Sequence, residues 1–300
     1  MKKLIAVFLS AIIIIGTLVG CGSTKNSTGN STGNSIENGT SDNTGNAKAR
    51  TLDEIKKDGK IRIGVFSDKN PFGYVDSNGE VQGYDVEFAK RIGKDLLGSE
   101  DAVEFVYVEA ASRVEYLKSG KVDVILANFT VTDERKEAVD FALPYMKVAL
   151  GVVSPDNALI TDADQLEGKD IIVVKGTTAE TYFSQTYPEL KLVKYDEYQE
   201  AYDALLDGRG DAFATDNTEA LAWSNQNEGF TTGIESIGNI DTIAPAVQKG
   251  NTELLNWIND EIKSLAGEEF FLNDYKKTLL PVYGDSIDPQ EIVVEGGVLE

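Results

Sequence analysis

Apolar and polar residues follow two periods along residues 51–300, and each change of period marks an element. "KIRIGVF", Lys60–Phe66, is a short β-branched run and predicts a strand. In "YDVEFAKRIGKDLLG", Tyr84–Gly98, apolar residues recur three and four apart, which predicts an amphipathic helix closed by its glycine. "VEFVYVE" predicts a strand, "RVEYLKSG" a helix ending in glycine, and "VDVILAN", Val122–Asn128, a buried strand. The alternation then resumes: strand "DIIVVKG" with helix "TTAETYFSQTY", strand "KLVKY" with helix "EYQEAYDALLDG", and strand "DAFATD" with helix "NTEALAWSNQN". "ELLNWINDEIKSLAG" is a late helix. Strands alternating with helices imply α/β architecture, with mostly parallel sheets covered on both faces.

The pattern also predicts two lobes. "YLKSGKVDVILANFTVTDE" and "ALLDGRGDAFATDNTE" share one order: helix, glycine, basic residue, aspartate, strand, polar junction, acidic helix start. "PYMKVALGVVS", Pro144–Ser154, is an extended apolar run, and "TIAPAVQKG", Thr242–Gly250, suits its return. Two such crossings insert a second lobe, 148–242, into a first made of 51–147 and 243–300.

In open α/β sheets ligands bind beyond the carboxyl ends of strands, where loops enter helices. Three such junctions carry unusual polar residues. The first is Ala127-Asn128, followed by Thr130 and Arg135; the second is Gly176 to Thr178; the third delivers Asp216. Arg135 is the oddest, because it falls in the first turn of a short helix, where exposed amides and the dipole favour anions. An ion pair with Asp133 or Glu134 is one explanation, and an anion held by Arg135 is the other. Thr177, Thr178 and Asp216 are equally able to cap helices. Taken together, a cation, free amides and a carboxylate at similar strand ends suit a zwitterion, its carboxylate on Arg135 and amides, its ammonium on Asp216 and Thr130.

The inventory narrows the chemistry. The 300 residues include no histidine and one cysteine, Cys21, which excludes Ser-His-Asp, Cys-His and zinc-histidine sites and any disulfide within the chain. Net charge is −22, from 28 basic and 50 acidic residues, a surface that repels nucleic acid and anionic headgroups. With so many carboxylates, no acidic pair alone counts as a catalytic dyad.

The first residues stand apart. A basic start and an apolar run, Leu4–Val19, predict an export signal over 1–20. "LVGC", Leu18–Cys21, resembles the lipobox of bacterial lipoproteins, whose cysteine becomes the lipidated first residue. Residues 21–50, rich in Ser, Thr, Asn and Gly, predict a disordered tether.

Four segments, "KIRIGVFSDKNPFGYVDSNGEVQGYDVEFAKRIG", "VDVILANFTVTDERKEAVDFALPYMKVALGV", "VVKGTTAETYF" and "GRGDAFATDN", together resemble the polar amino-acid receptors of bacterial ABC importers (solute-binding family 3). "NFT", "DFALPYMKVALGV" and the "VVEGG" tail are most similar to the cysteine-binding lipoprotein members. The resemblance implies a type II periplasmic-binding-protein-like fold, with two lobes joined by two hinge strands and closing on one free amino acid. It implies a membrane permease as partner, a lipid anchor on the outer face of the cell membrane, and no cofactor or metal.

By the same resemblance Arg135 grips the α-carboxylate, joined by the amides of Thr130 and Thr178. The carbonyl of Asn128, the hydroxyl of Thr130 and the carboxylate of Asp216 hold the α-ammonium. Arg113 matches an arginine of cysteine-type and aspartate/glutamate-type receptors; it lines the pocket or else sits on the surface beside Glu109 and Glu115. Phe66 falls near the substrate side chain or serves only as core. Many relatives place an acidic or aromatic group where this chain has Ser67-Asp68-Lys69-Asn70. Aspartate, glutamate or glutamine are the alternative ligands. Some dehydratases and lytic transglycosylases also use this fold, which makes an enzyme the alternative class.

Overall fold

The computed structural model describes residues 47–284 and 286–299. The expected export signal, Cys21 and most of the expected tether lie outside the described residues. At the end of that expected tether, Ala47 and Arg50 are tied to the first lobe. The Ala47 amide donates to Lys118 O, and Arg50 forms ion pairs with Asp58 and the buried Asp123.

Two five-stranded sheets organise the rest. In the first, the strands lie in the order Val103–Tyr107, Ile61–Val65, Val124–Ile125, Ala246–Gln248, Val139–Phe141. The first three are parallel, and Ala246–Gln248 runs antiparallel to both its neighbours. In the second sheet the order is Lys191–Tyr195, Asp170–Val174, Ala212–Asp216, Met146–Pro155, Phe230–Ile243. The chain therefore leaves the first sheet after Phe141 and returns after Ile243, giving two lobes. The crossing strands Met146–Pro155 and Phe230–Ile243 pair antiparallel with several register shifts.

Each lobe has its own core. The amphipathic helix Tyr84–Leu97 lays Val86, Phe88, Ala89 and Ile92 on the first sheet, where Phe88 meets Phe271 edge-on at 5.0 Å between ring centres. Burying one such side chain contributes about 1.5–3 kcal/mol. The second lobe packs Phe183 and Leu190 on Ile171, Val173 and Ala212. A third apolar cluster joins the lobes, and in it Phe66 meets Tyr198 edge-on at 5.2 Å. Asp68 Oδ2 accepts from the Tyr198 amide across the same boundary at 2.8 Å, so the lobes are closed on each other.

A hairpin sheet of Asp68–Lys69, Gly73–Val75 and Val81–Gln82 projects from the first lobe, and the helices Phe270–Thr278, Leu280–Tyr283 and Pro289–Ile292 end the chain. None of these was expected from the sequence pattern.

Candidate functional site

Four strand ends converge on the boundary between lobes. Ile61–Val65 runs into Phe66, and Val124–Ile125 into Asn128 and Thr130. From the second lobe, Asp170–Val174 runs into Gly176 and Ala212–Asp216 ends on Asp216.

Asn128 adopts a left-handed backbone, φ 42°, which asparagine tolerates better than most residues. A buried carboxylate fixes that turn: Asp85 accepts from the Asn128 amide at 2.7 Å and from the Tyr145 hydroxyl at 2.5 Å. Burial pushes the Asp85 carboxyl up to about 6, against the pull of those two donors. The turn then carries Thr130, buried and paired antiparallel with Ile243 of the returning strand.

Two guanidinium groups project into this boundary. Arg113 starts the helix Arg113–Lys118 and is 2% exposed, so the surface alternative for it fails. Its Nε donates to Ala110 O, its Nη1 to Ala127 O at 2.9 Å and Asn128 O at 3.3 Å, and its Nη2 to Gly176 O at 3.1 Å. Arg135 lies in the helix Asp133–Ala138, whose cap is Thr132, with its hydroxyl accepting from the Arg135 amide. The Arg135 side chain turns inward, donating from Nη1 to Thr130 O at 2.7 Å and from Nη2 to Gly176 O at 2.9 Å. The ring of Phe129 lies 4.4 Å from the Arg113 guanidinium and 4.6 Å from that of Arg135.

Among the described residues no carboxylate lies within ion-pair distance of either arginine, so the expected alternative pairing with Asp133 or Glu134 is not formed. Burial, reinforced by the neighbouring Arg113 charge, pushes Arg135 down to about 9, and burial likewise lowers Arg113. Removing a cation from water without an anion is costly. This pair therefore keeps N–H donors to spare, which an anion could take.

At Gly176 the two lobes approach closely. Its φ is 72°, and a Cβ built there would stand 2.4 Å from Ala111 Cα of the first lobe. Only glycine allows its carbonyl to reach both arginines while the lobes are closed. Thr177 then caps the helix Thr178–Thr186, its hydroxyl accepting from the Glu180 amide, so capping belongs to Thr177 and not to Thr178.

Asp216 precedes the helix Asn217–Gln226 but makes no side-chain cap bond, which removes the capping alternative. Its Oδ2 accepts from Lys69 Nζ at 3.0 Å. Lys69 is fully buried, and its ammonium also donates to Asn128 Oδ1 at 2.7 Å and Tyr198 Oη at 3.1 Å. Glu219 Oε2 stands 3.1 Å away. Burial opposes the Lys69 charge, but Asp216 and Tyr198 outweigh it and hold the ammonium above its ordinary pKa.

Sequence reasoning noticed Lys69 only as a departure from relatives. Its position next to Asp68 and Asn70 in a polar stretch gave no sign of burial. The expected partners also shift. The Asn128 carbonyl, assigned to a ligand ammonium, accepts from Arg113, and the Asn128 side chain serves Lys69. Phe66 is 1% exposed, and it does more than fill core, since it also borders a cavity of about 140 Å³ with Tyr107, Tyr116 and Tyr198. A larger cavity, about 510 Å³, lies behind the crossing strands at Lys147, Asn217 and Ile240 and holds none of the candidate residues.

The profile of the bacterial extracellular solute-binding proteins, family 3, matches residues 61–277. A crystal structure of the solute receptor for L-cysteine of Neisseria gonorrhoeae is 57% identical, with a TM-score of 0.81, covering 82% of this chain and 100% of that one. The cysteine-binding protein from Campylobacter jejuni is 52% identical, with a TM-score of 0.80, covering 81% of this chain and 98% of that one. The ABC transporter glutamine-binding protein GlnH of Bacillus subtilis is 32% identical over 282 residues, 92% of this chain and 97% of that protein. The chain belongs to the bacterial extracellular solute-binding proteins, family 3.

Proposed function

We propose that this chain is the amino-acid receptor of an ABC importer, that its ligand is L-cysteine, and that it works as a lipid-anchored protein outside the cell membrane. The observation that carries the reading is the pair of guanidinium groups without a carboxylate among the described residues, the buried Arg113 and the half-buried Arg135, set across a closed interlobe boundary from Asp216. Arg135 receives the α-carboxylate, with the Thr130 and Thr178 amides beside it. Asp216, with the Thr130 hydroxyl, receives the α-ammonium.

Charge-assisted hydrogen bonds contribute about 1.5–3 kcal/mol each, and micromolar binding requires about 8 kcal/mol net. Groups from both lobes are therefore needed together. That requirement makes closure ligand-dependent: only the closed form offers all the contacts, so the ligand shifts the equilibrium toward it. The closed form is what a permease would recognise before the amino acid is released inward.

Cysteine is favoured by the two receptors named for it, at 57% and 52% identity, and by the tight packing around Phe66 and Lys69, which suits a small side chain. A second reading, aspartate or glutamate, draws on Arg113, whose guanidinium would suit a side-chain carboxylate. The export signal, lipidation of Cys21 and delivery to a permease follow from the lipobox-like "LVGC" and the family. Binding without chemistry suits a chain with no histidine. A dehydratase remains the opposing class.

The test is a thermal-shift screen of residues 43–300 against all free amino acids under reducing conditions. Binding to the folded form raises the melting temperature with occupancy. A shift with cysteine is expected, together with recovery of unchanged ligand. A shift only with acidic amino acids would favour the second reading, and conversion to product would make the protein an enzyme.

A further inference from the structure

The anion half of the site is incomplete, but its cation half already has an occupant. Lys69 Nζ lies within 3.1 Å of acceptors on Asp216, Asn128 and Tyr198 and of Glu219 Oε2. Three aromatic rings surround the same nitrogen, with centres at 4.5 Å for Tyr198, 5.5 Å for Phe72 and 5.7 Å for Phe66. Two carboxylates, a hydroxyl and three ring faces form the kind of pocket that recognises an organic cation. Glu219 has no role in the α-amino-acid contacts. It is fully buried, and burial, with Asp68 adding to it, drives its carboxyl well above the ordinary range. Its Oε2 nonetheless faces the Lys69 ammonium at 3.1 Å.

We propose that Lys69 sets the charge selectivity of the binding site, its side chain filling from within the chain a cation pocket made by Asp216, Glu219, Asn128, Tyr198, Phe66 and Phe72, and so excluding amino acids with basic side chains. The pocket adjoins the Asp216 carboxylate that receives the α-ammonium, so a ligand side chain long enough to reach it would meet another ammonium where it needs an anion. Like charges there are repelled in a region shielded from water, where such repulsion is strong. Small neutral side chains stop short of it. The proposal rests on the reading of Asp216 as a ligand contact.

Shortening Lys69 should uncover the pocket. In Lys69→Ala, calorimetric titration is expected to show L-arginine and L-ornithine binding at least about tenfold more tightly than in the wild type, as ion pairing and ring contacts with a new cation become available. Lys69→Met keeps a long apolar chain in place and is expected to show no such gain. Wild type is expected to bind L-cysteine and to be left unaffected by excess L-arginine.

If Lys69→Ala does not fold, the double variant Lys69→Ala/Glu219→Gln removes one buried acid, keeps Asp216, and is read in the same way. A folded variant that gains no affinity for either basic amino acid overturns the proposal, as does a wild type that binds L-arginine as tightly as L-cysteine. A wild type that binds no free amino acid at all overturns instead the receptor reading on which it rests.

Discussion

Two groups of buried or half-buried cations meet at one boundary, and they differ in what faces them. Lys69 has two carboxylates within reach, and its pKa is held up. Arg113 and Arg135 face backbone carbonyls and the Phe129 ring, with no carboxylate in reach among the described residues, and both are pushed down, Arg135 to about 9. The lysine of the first group finds its acidic partners within the chain. The second becomes complete only when an anion arrives. A buried charge that is already paired serves to shape a site, whereas one left with spare donors is a place for a ligand.

Replacing Arg135 with methionine breaks the incomplete group and gives the largest effect. Loss of two charge-assisted bonds to a carboxylate is expected to weaken ligand binding by about 3–6 kcal/mol, more than about a hundredfold. The unliganded protein should melt no lower than the wild type, because a poorly compensated buried charge is removed. Calorimetry and thermal melts of the same samples check both halves; a folded variant with normal affinity would mean that Arg135 is not the carboxylate contact.

Asp85 lies between the two groups, and its charge acts on both Lys69 and Arg113. Its folded pKa, about 6, lies above the ordinary value, so the folded state takes up the proton first. The associated stability is fully present below pH about 4 and lost as pH rises through about 6. Urea unfolding of wild type and Asp85→Asn across this range should therefore move the difference in the variant's favour as pH rises, by at most about 3 kcal/mol. A pH-independent difference would place the Asp85 charge elsewhere in the balance.

Gly176 tests the same comparison mechanically, since it brings an acceptor from the second lobe to both arginines. Gly176→Ala forces a left-handed alanine, costing about 1–2 kcal/mol, and sets its methyl against Ala111. The closed form should become rarer and affinity fall about tenfold or more, with a larger radius of gyration by X-ray scattering when ligand is present. Unchanged scattering and affinity would show that the lobes do not need this close approach.

Much of this was legible in the sequence because it follows from period and junction. Helix Tyr84–Leu97 follows from apolar spacing and its terminal glycine, and the strands before Asn128 and Gly176 follow from β-branched runs. Arg135 declared itself by standing where a helix start disfavours a cation. The strand Phe230–Ile243 was seen only at its end, because "FTTGIESIGNI" has two glycines and exposed polar residues that mask its period.

Lys69 was beyond reach for a different reason. Its acceptors come from residues 59 to 150 positions away, and no local pattern records a contact made only when two lobes close. The role of the Asn128 side chain is hidden for the same cause: it depends on a lysine that the hairpin Asp68–Val75 delivers from afar.

The central claim is that an α-amino acid completes the arginine pair. The crystal structure of the chain with L-cysteine tests it directly. The ligand carboxylate should lie within hydrogen-bond distance of Arg135 and its ammonium against Asp216, with Lys69 still bonded to Asp216. A cysteine bound outside the interlobe boundary, or one with its carboxylate turned away from both arginines, would contradict it.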